Sequence, residues 1–166
     1  MVQDGEVGDC LPAETEQTIS VKIRGVFLVE SGEGGSSPVV LLEDDSGKKI
    51  IPIFVGLSEA ISIQNALRGE TSPRPMTHDL FISALECLGA SVSGVLIDEL
   101  DGGVYYARLT IRHEDLDKEV DARPSDCLAL AIRAGAPVLI REEVVRSSAV
   151  EKGDVEGLRS LESLMD

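Results

Sequence analysis

Residues 91–113 read SVSGVLIDELDGGVYYARLTIRH. Two long runs with many β-branched and aromatic residues flank Asp101-Gly102-Gly103, the composition of two strands joined by a tight hairpin. A two-residue hairpin turn needs positive φ, which glycine adopts freely. Residues 91–100 and 104–113 are therefore expected to pair antiparallel. The same grammar recurs outward. Glu114-Asp115-Leu116-Asp117 turns the chain into a short strand at 118–122. Pro124 then opens a helix to Ala134, Gly135 ends it, and 137–140 is a last short strand. Upstream, 19–29 is a β-branched strand and 31–37 a loose Ser/Gly loop. Asp44-Asp45-Ser46-Gly47 joins strands at 39–43 and 48–55. Ser58 is expected to cap a helix to residue 67, and Thr77 a second helix at 79–88; Gly69 and Gly89 end them. On the second helix, Leu80, Phe81, Ala84, Leu85 and Leu88 form the stripe assigned to the core.

The order is βββαα, then βββαβ. Hairpins ahead of helices argue for an α+β fold, not alternating βαβ units. The expectation is a mostly antiparallel sheet or sheets with about three packed helices, strands then helix in each of two halves. The halves hint at an internal duplication. Residues 1–18 read as an acidic, disordered tail, 19–146 as the folded domain, and 147–166 as a linker with a short helix over about 155–165.

The net charge is -15, with the two tails carrying -5 and -3 and the central domain -7. This lowers the expectation for simple electrostatic binding of a polyphosphate. Aromatics are only 3% and Trp is absent, which argues against an aromatic stacking platform for nucleic acid. Three scattered cysteines, Cys10, Cys87 and Cys127, suit neither a disulfide framework nor a zinc site. Cys87 and Cys127 are expected on buried helix faces. No stretch is long and apolar enough to span a bilayer, and the first residues lack a basic start followed by an apolar run. A cytoplasmic protein is the expectation.

Two short segments concentrate the chemistry: Arg74-Pro75-Met76-Thr77-His78-Asp79 and Arg123-Pro124-Ser125-Asp126. Each places Arg-Pro, a hydroxyl residue and an acid where a helix begins. Pro at the first turn, a hydroxyl cap and an Asp near the positive end of the helix dipole explain most of this grammar. Capping requires neither arginine nor His78. If the two helix starts meet in space, they gather Arg, His and Asp at one place.

These segments, with Leu80 and with Asp121-Ala122 before the second, resemble the paired signatures of the bifunctional nuclease domain family. Gly56-Leu57-Ser58-Glu59-Ala60, Val104-Tyr105-Tyr106-Ala107 and Ala136-Pro137-Val138 resemble further elements of it, with Val104 where Phe is more usual. The likeness spans about residues 19–145. It implies cleavage of both DNA and RNA by a homodimer of α+β domains, with a groove as the active site.

Phosphodiester hydrolysis needs an activated nucleophile, neutralisation of the phosphorane and a proton for the leaving oxygen. An unperturbed histidine titrates near neutrality, and His78 is the candidate base or acid. Asp79, Asp126 and Asp121 are candidate catalytic carboxylates. Arg74 and Arg123 are candidate phosphate clamps, with Thr77 and Ser125 beside them as caps or substrate contacts. Asp79, Asp126 and Glu59 are the candidate ligands of a divalent cation, Mg²⁺ or Mn²⁺. His113, beside Glu114 and Asp115, reads as a solvated turn residue. The competing expectation is a non-catalytic dimeric module in which Arg–Asp pairs clasp the helix starts together. A third is a small anion bound there without turnover.

Overall fold

The structure is a computed structural model and describes residues 17–32 and 34–165; the expected disordered tail lies almost wholly outside the described residues. The first half runs β1 (Thr18–Glu30), β2 (Ser36–Asp44), β3 (Lys49–Phe54), α1 (Leu57–Arg68) and α2 (Thr77–Cys87). The second runs β4 (Ala90–Asp101), β5 (Val104–His113), β6 (Leu116–Ala122), α3 (Pro124–Ala134) and β7 (Val138–Arg141). A short helix, α4 (Glu142–Ser148), and two short strands, β8 (Val150–Glu151) and β9 (Arg159–Ser160), follow. The α+β reading and the order as far as β7 are as expected.

Among the described residues all strands form one 9-stranded sheet in the order β6-β5-β4-β7-β1-β2-β3-β8, with β9 against β1. The pairing is antiparallel except between β7 and β4. Each hairpin-linked meander lies on one side of β7, and the two run away from it in opposite directions. Gly102 and Gly103, at φ 55 and φ 82, form the turn that registers Asp101 opposite Val104. Positive φ at both central residues matches the right-handed twist of the flanking strands.

The main core lies under one face of this sheet. Val26, Leu42, Ile51, Val95, Ile97, Leu109 and Ile140 meet Ala60 and Ile63 of α1 and Leu128 and Ala131 of α3 there. α3 is the central helix. Cys127, Ala129 and Ala131 give it small surfaces for close approach, and all three are buried. On the opposite face, Val39, Leu41 and Ile50 form a smaller cluster with Val150, Val155 and Leu158 of the C-terminal stretch. Beyond it, the outer face of β4–β6 is solvated and carries ion pairs from Arg108 to Asp98 and Glu119, and from Arg112 to Asp117.

Four local expectations change. α2 has no buried residue, and Leu80, Phe81 and Leu88 are exposed; the helix rides on α3 and β4 through Ile82 and Leu85 instead. Its apolar stripe is too wide to bury against one neighbour. Cys87 is consequently exposed, while Cys127 is buried as expected, and burial pushes its thiol up to about 12. Residues 155–165 do not form a helix: 3-10 turns at Lys152–Val155 and Glu162–Leu164 bracket β9, and Leu161 is buried.

The fourth concerns helix caps. Ser58, Thr77 and Ser125 do not occupy the cap positions; Gly56, Met76 and Arg123 take them, with no side-chain capping bond to the helix's backbone N–H groups. The residue before proline is held extended, so Arg123 becomes the cap by backbone geometry, with Pro124 in the first turn. Ser125 is then two positions past the cap and is buried at 8% exposure. In α2, Asp79 reaches back and accepts the Met76 N–H at 2.9 Å, one half of a capping box.

Candidate active site

The starts of α2 and α3 do converge. His78 Nε2 lies 3.0 Å from Asp126 Oδ1, across 48 residues of sequence. Asp126 also accepts two bonds from Arg123, Nε to Oδ2 at 2.8 Å and Nη2 to Oδ1 at 3.1 Å. The same Nη2 lies 3.1 Å from Glu59 Oε1 at the start of α1. The other ring nitrogen of His78, Nδ1, is 2.8 Å from Ser62 Oγ. Behind it stands a second arginine. Arg133 donates Nε to Asp79 Oδ1 at 2.6 Å, Nη1 to the Ala129 carbonyl at 2.9 Å and Nη2 to Ser62 Oγ at 3.1 Å. One polar chain thus runs Glu59–Arg123–Asp126–His78–Ser62–Arg133–Asp79 across three helices.

The electrostatics follow from this wiring. The Arg133 guanidinium, assisted by the Met76 N–H, holds the Asp79 carboxyl below its usual range against burial. At Asp126 burial works towards protonation, but Arg123 and His78 outweigh it and keep the pKa low. Glu59 is lowered by its own backbone N–H at the helix start, by Ser58 and by Arg123. A carboxylate can only accept, so Asp126 requires a proton on His78 Nε2. In the neutral ring Nδ1 is then the basic nitrogen, and the Ser62 hydroxyl donates to it.

The lowered carboxylates predict acid sensitivity. Each has a folded pKa below its unfolded value, so the folded state binds fewer protons at mildly acidic pH. Their stabilisation is complete above the unfolded pKa values near 4 and is lost as pH falls through the lower, folded ones. Urea midpoints measured from pH 6 to pH 3 are expected to hold level and then fall below about pH 4. A midpoint that rises on acidification contradicts the assignment.

His78 and Asp126 open onto a groove of about 700 Å³ between α2, α3 and strands β5 and β6. Thr77, Asp121 and Arg123 line it with them, and its apolar wall includes Phe81, Tyr105, Tyr106 and Val120. The chain has five aromatic residues, and three of them meet here. Strand β5 and helix α2 thus bring three of the few aromatics to one groove. A separate cavity of about 390 Å³, lined by Asp98, Glu99, Asp101, Arg108 and Glu143 among others, contains none of the site residues.

The remaining candidates divide. Asp121 lines the groove and makes no ion pair among the described residues. Arg74 is exposed, pairs with no carboxylate among the described residues and does not line the groove. Ser125 is buried away from it, and His113 is an exposed residue at the end of β5. The proposed metal ligands do not form a cation site in this arrangement. Arg123 and His78 occupy Asp126, Arg133 and the Met76 N–H occupy Asp79, and no three His, Cys, Asp or Glu groups converge among the described residues.

Ser62 and Arg133 escaped the sequence reading. Arg133 lies seven residues, two turns, after Asp126 and projects from the same side of α3; Ser62 lies three after Glu59 on α1. Helical spacing from the suspected acids was the available signal.

Comparison with known proteins gives the family. The bifunctional nuclease domain model matches residues 40–153, more than half of the chain, and the chain belongs to that family. It is 38% identical over 115 residues to an uncharacterized protein of Mycobacterium tuberculosis, covering 69% of this chain and 68% of the relative. It is 28% identical over 116 residues to Bifunctional nuclease 1 of Oryza sativa subsp. japonica, covering 68% of this chain but only 35% of the rice protein. Among the described residues no helix is long and apolar enough to cross a membrane.

Proposed function

We propose that this chain is a nuclease that hydrolyses phosphodiester bonds of DNA and RNA with little sequence preference. The observation that carries the reading is the His78–Asp126 pair at 3.0 Å, opening with Arg123 onto a groove partly walled by aromatic rings. Asp126 orients the imidazole so that Nδ1, facing the Ser62 hydroxyl, is the nitrogen that takes a proton. Arg123 is 65% exposed and, among the described residues, uses only Nε and Nη2 on carboxylates, which leaves its Nη1 edge for a phosphate oxygen. Asp121 is the groove carboxylate without a salt-bridge partner among the described residues, placed to receive or deliver a proton. Phe81, Tyr105 and Tyr106 offer faces on which unpaired bases stack, which favours single strands over duplex. The relative named Bifunctional nuclease 1 supports the same activity.

The test is cleavage of single-stranded RNA, single-stranded DNA and duplex DNA by purified protein, with Mg²⁺, with Mn²⁺ and with chelator. Wild type is expected to cleave single strands fastest, and Arg123→Ala to lose about tenfold or more through KM and kcat together. Equal activity in the Asp79→Ala, Asp126→Ala double variant would identify a contaminant and remove the reading. The chelator arm decides the metal: a requirement for Mg²⁺ or Mn²⁺ means that substrate or cation displaces Arg123 from Asp126.

A second reading is favoured by the pairing itself. Guanidinium groups engage both Asp79 and Asp126, as in a structural clasp of a non-catalytic binding module. Inactivity of the wild type on every substrate, together with a large loss of stability in both Asp variants, selects the clasp.

We also propose that two copies associate in a cytoplasmic setting. Leu80 and Leu88 are 61% and 72% exposed, and with Ala84 they form a row at helical spacing along α2. An exposed apolar row on so acidic a chain suits a self-complementary contact. Light scattering is expected to show a dimer for wild type and a monomer for Leu80→Glu, Leu88→Glu; a monomeric wild type rejects the proposal.

A further inference from the structure

The basic nitrogen of His78 does not face open solvent. The group at hydrogen-bond distance from Nδ1 is the Ser62 hydroxyl, at 2.8 Å. The opposite nitrogen is fixed by Asp126 at 3.0 Å. The same hydroxyl oxygen lies 3.1 Å from Nη2 of Arg133, a guanidinium held in place by Asp79 and by the Ala129 carbonyl. A hydroxyl with a base on one side, a carboxylate orienting that base, and a fixed cation on the oxygen has the arrangement of an activated nucleophile. Ser62 is partly exposed on α1.

We infer that Ser62 is a nucleophile, and that the reaction passes through a phosphoryl–Ser62 intermediate. This rests on the nuclease reading for its substrate, but the reactivity of the hydroxyl does not. In the first step the Ser62 Oγ–H proton moves to Nδ1 as the Oγ–P bond forms. The P–O bond to the leaving nucleoside breaks, and that oxygen takes the proton from the imidazolium. In the second step a water gives its proton to Nδ1, and its oxygen bonds to phosphorus. The Oγ–P bond breaks, and Oγ recovers the proton. The balance is one phosphodiester and one water to one phosphomonoester and one alcohol. Arg133 stabilises the negative charge that develops on Oγ in both steps.

The experiment uses a fluorophosphonate probe on the whole protein, read by intact mass and peptide mapping. Attack by Oγ breaks the P–F bond, releases fluoride and leaves the proton on His78. One adduct on Ser62 is expected, absent from Ser62→Ala and formed about tenfold or more slowly by His78→Gln. Cleavage of single-stranded RNA by Ser62→Ala is expected to fall about a hundredfold or more, with its thermal midpoint measured alongside to confirm folding. An unlabelled Ser62 in wild type overturns the inference whatever the variants do, and so does a Ser62→Ala protein that cleaves RNA within about twofold of wild type. Labelled Ser62 in a protein that cleaves neither RNA nor DNA keeps the activated hydroxyl and removes the nuclease reading.

Discussion

Asp126→Asn is expected to lower kcat on single-stranded RNA by about a hundredfold or more while the chain stays folded. The carboxylate accepts three bonds, two from Arg123 and one from His78 Nε2. An amide of the same shape has a single acceptor oxygen, and its NH₂ group turns two donors towards donors. Either Arg123 loses its fork or the imidazole loses the partner that fixes its tautomer. In the second case the proton can settle on Nδ1, and the basic nitrogen points away from the nucleophile. In that case Arg123 keeps its place in the groove, and KM is expected to move little. A variant with wild-type kcat would show that His78 needs no orientation and would sink the catalytic role of the pair. A variant that unfolds would instead assign the pair to the clasp.

Asp79→Ala is expected to act mainly on stability. Arg133 has only 12% side-chain exposure, and Asp79 is its carboxylate partner. Removing one member of a buried pair costs about 3–5 kcal/mol, because the other charge is left without compensation. Asp79 is 34% exposed, so water reaches part of the site and about 2 kcal/mol is a better expectation. Urea unfolding gives the number directly. A double-mutant cycle with Arg133→Leu supplies the check: the double variant is expected to be more stable than the sum of the single losses predicts, since it buries no orphan charge. Additive losses would mean that the pair contributes no coupling. The two aspartates, alike in sequence setting, therefore separate: Asp126 is tied to the reacting groups, and Asp79 to the helix framework that carries them.

The chain's local chemistry was legible wherever one short segment decides its own conformation. Gly102-Gly103 dictates a turn because only glycine takes positive φ twice at no cost, and that turn fixes the β4–β5 register. Gly69 and Gly135 end helices for the same reason. The Arg-Pro segments marked two helix starts within two residues. Their convergence was expected and is found. Yet the cap assignments missed by one or two positions; at α3 the reason is that Pro124 holds Arg123 extended.

Tertiary structure alone decided which faces are covered and which groups meet. An apolar stripe on α2 predicts burial only if a partner exists, and among the described residues Leu80 and Leu88 are left exposed. Ser62 and Arg133 entered the site because α1 and α3 pack side by side beneath one sheet, a contact between segments about seventy residues apart that no local pattern encodes. Arg74 was left out although its sequence setting matches that of Arg123. Sequence determines backbone preference residue by residue through sterics and hydrogen bonding. Which charges pair and which rings line a groove depends on distances that exist only after the sheet has brought remote segments together.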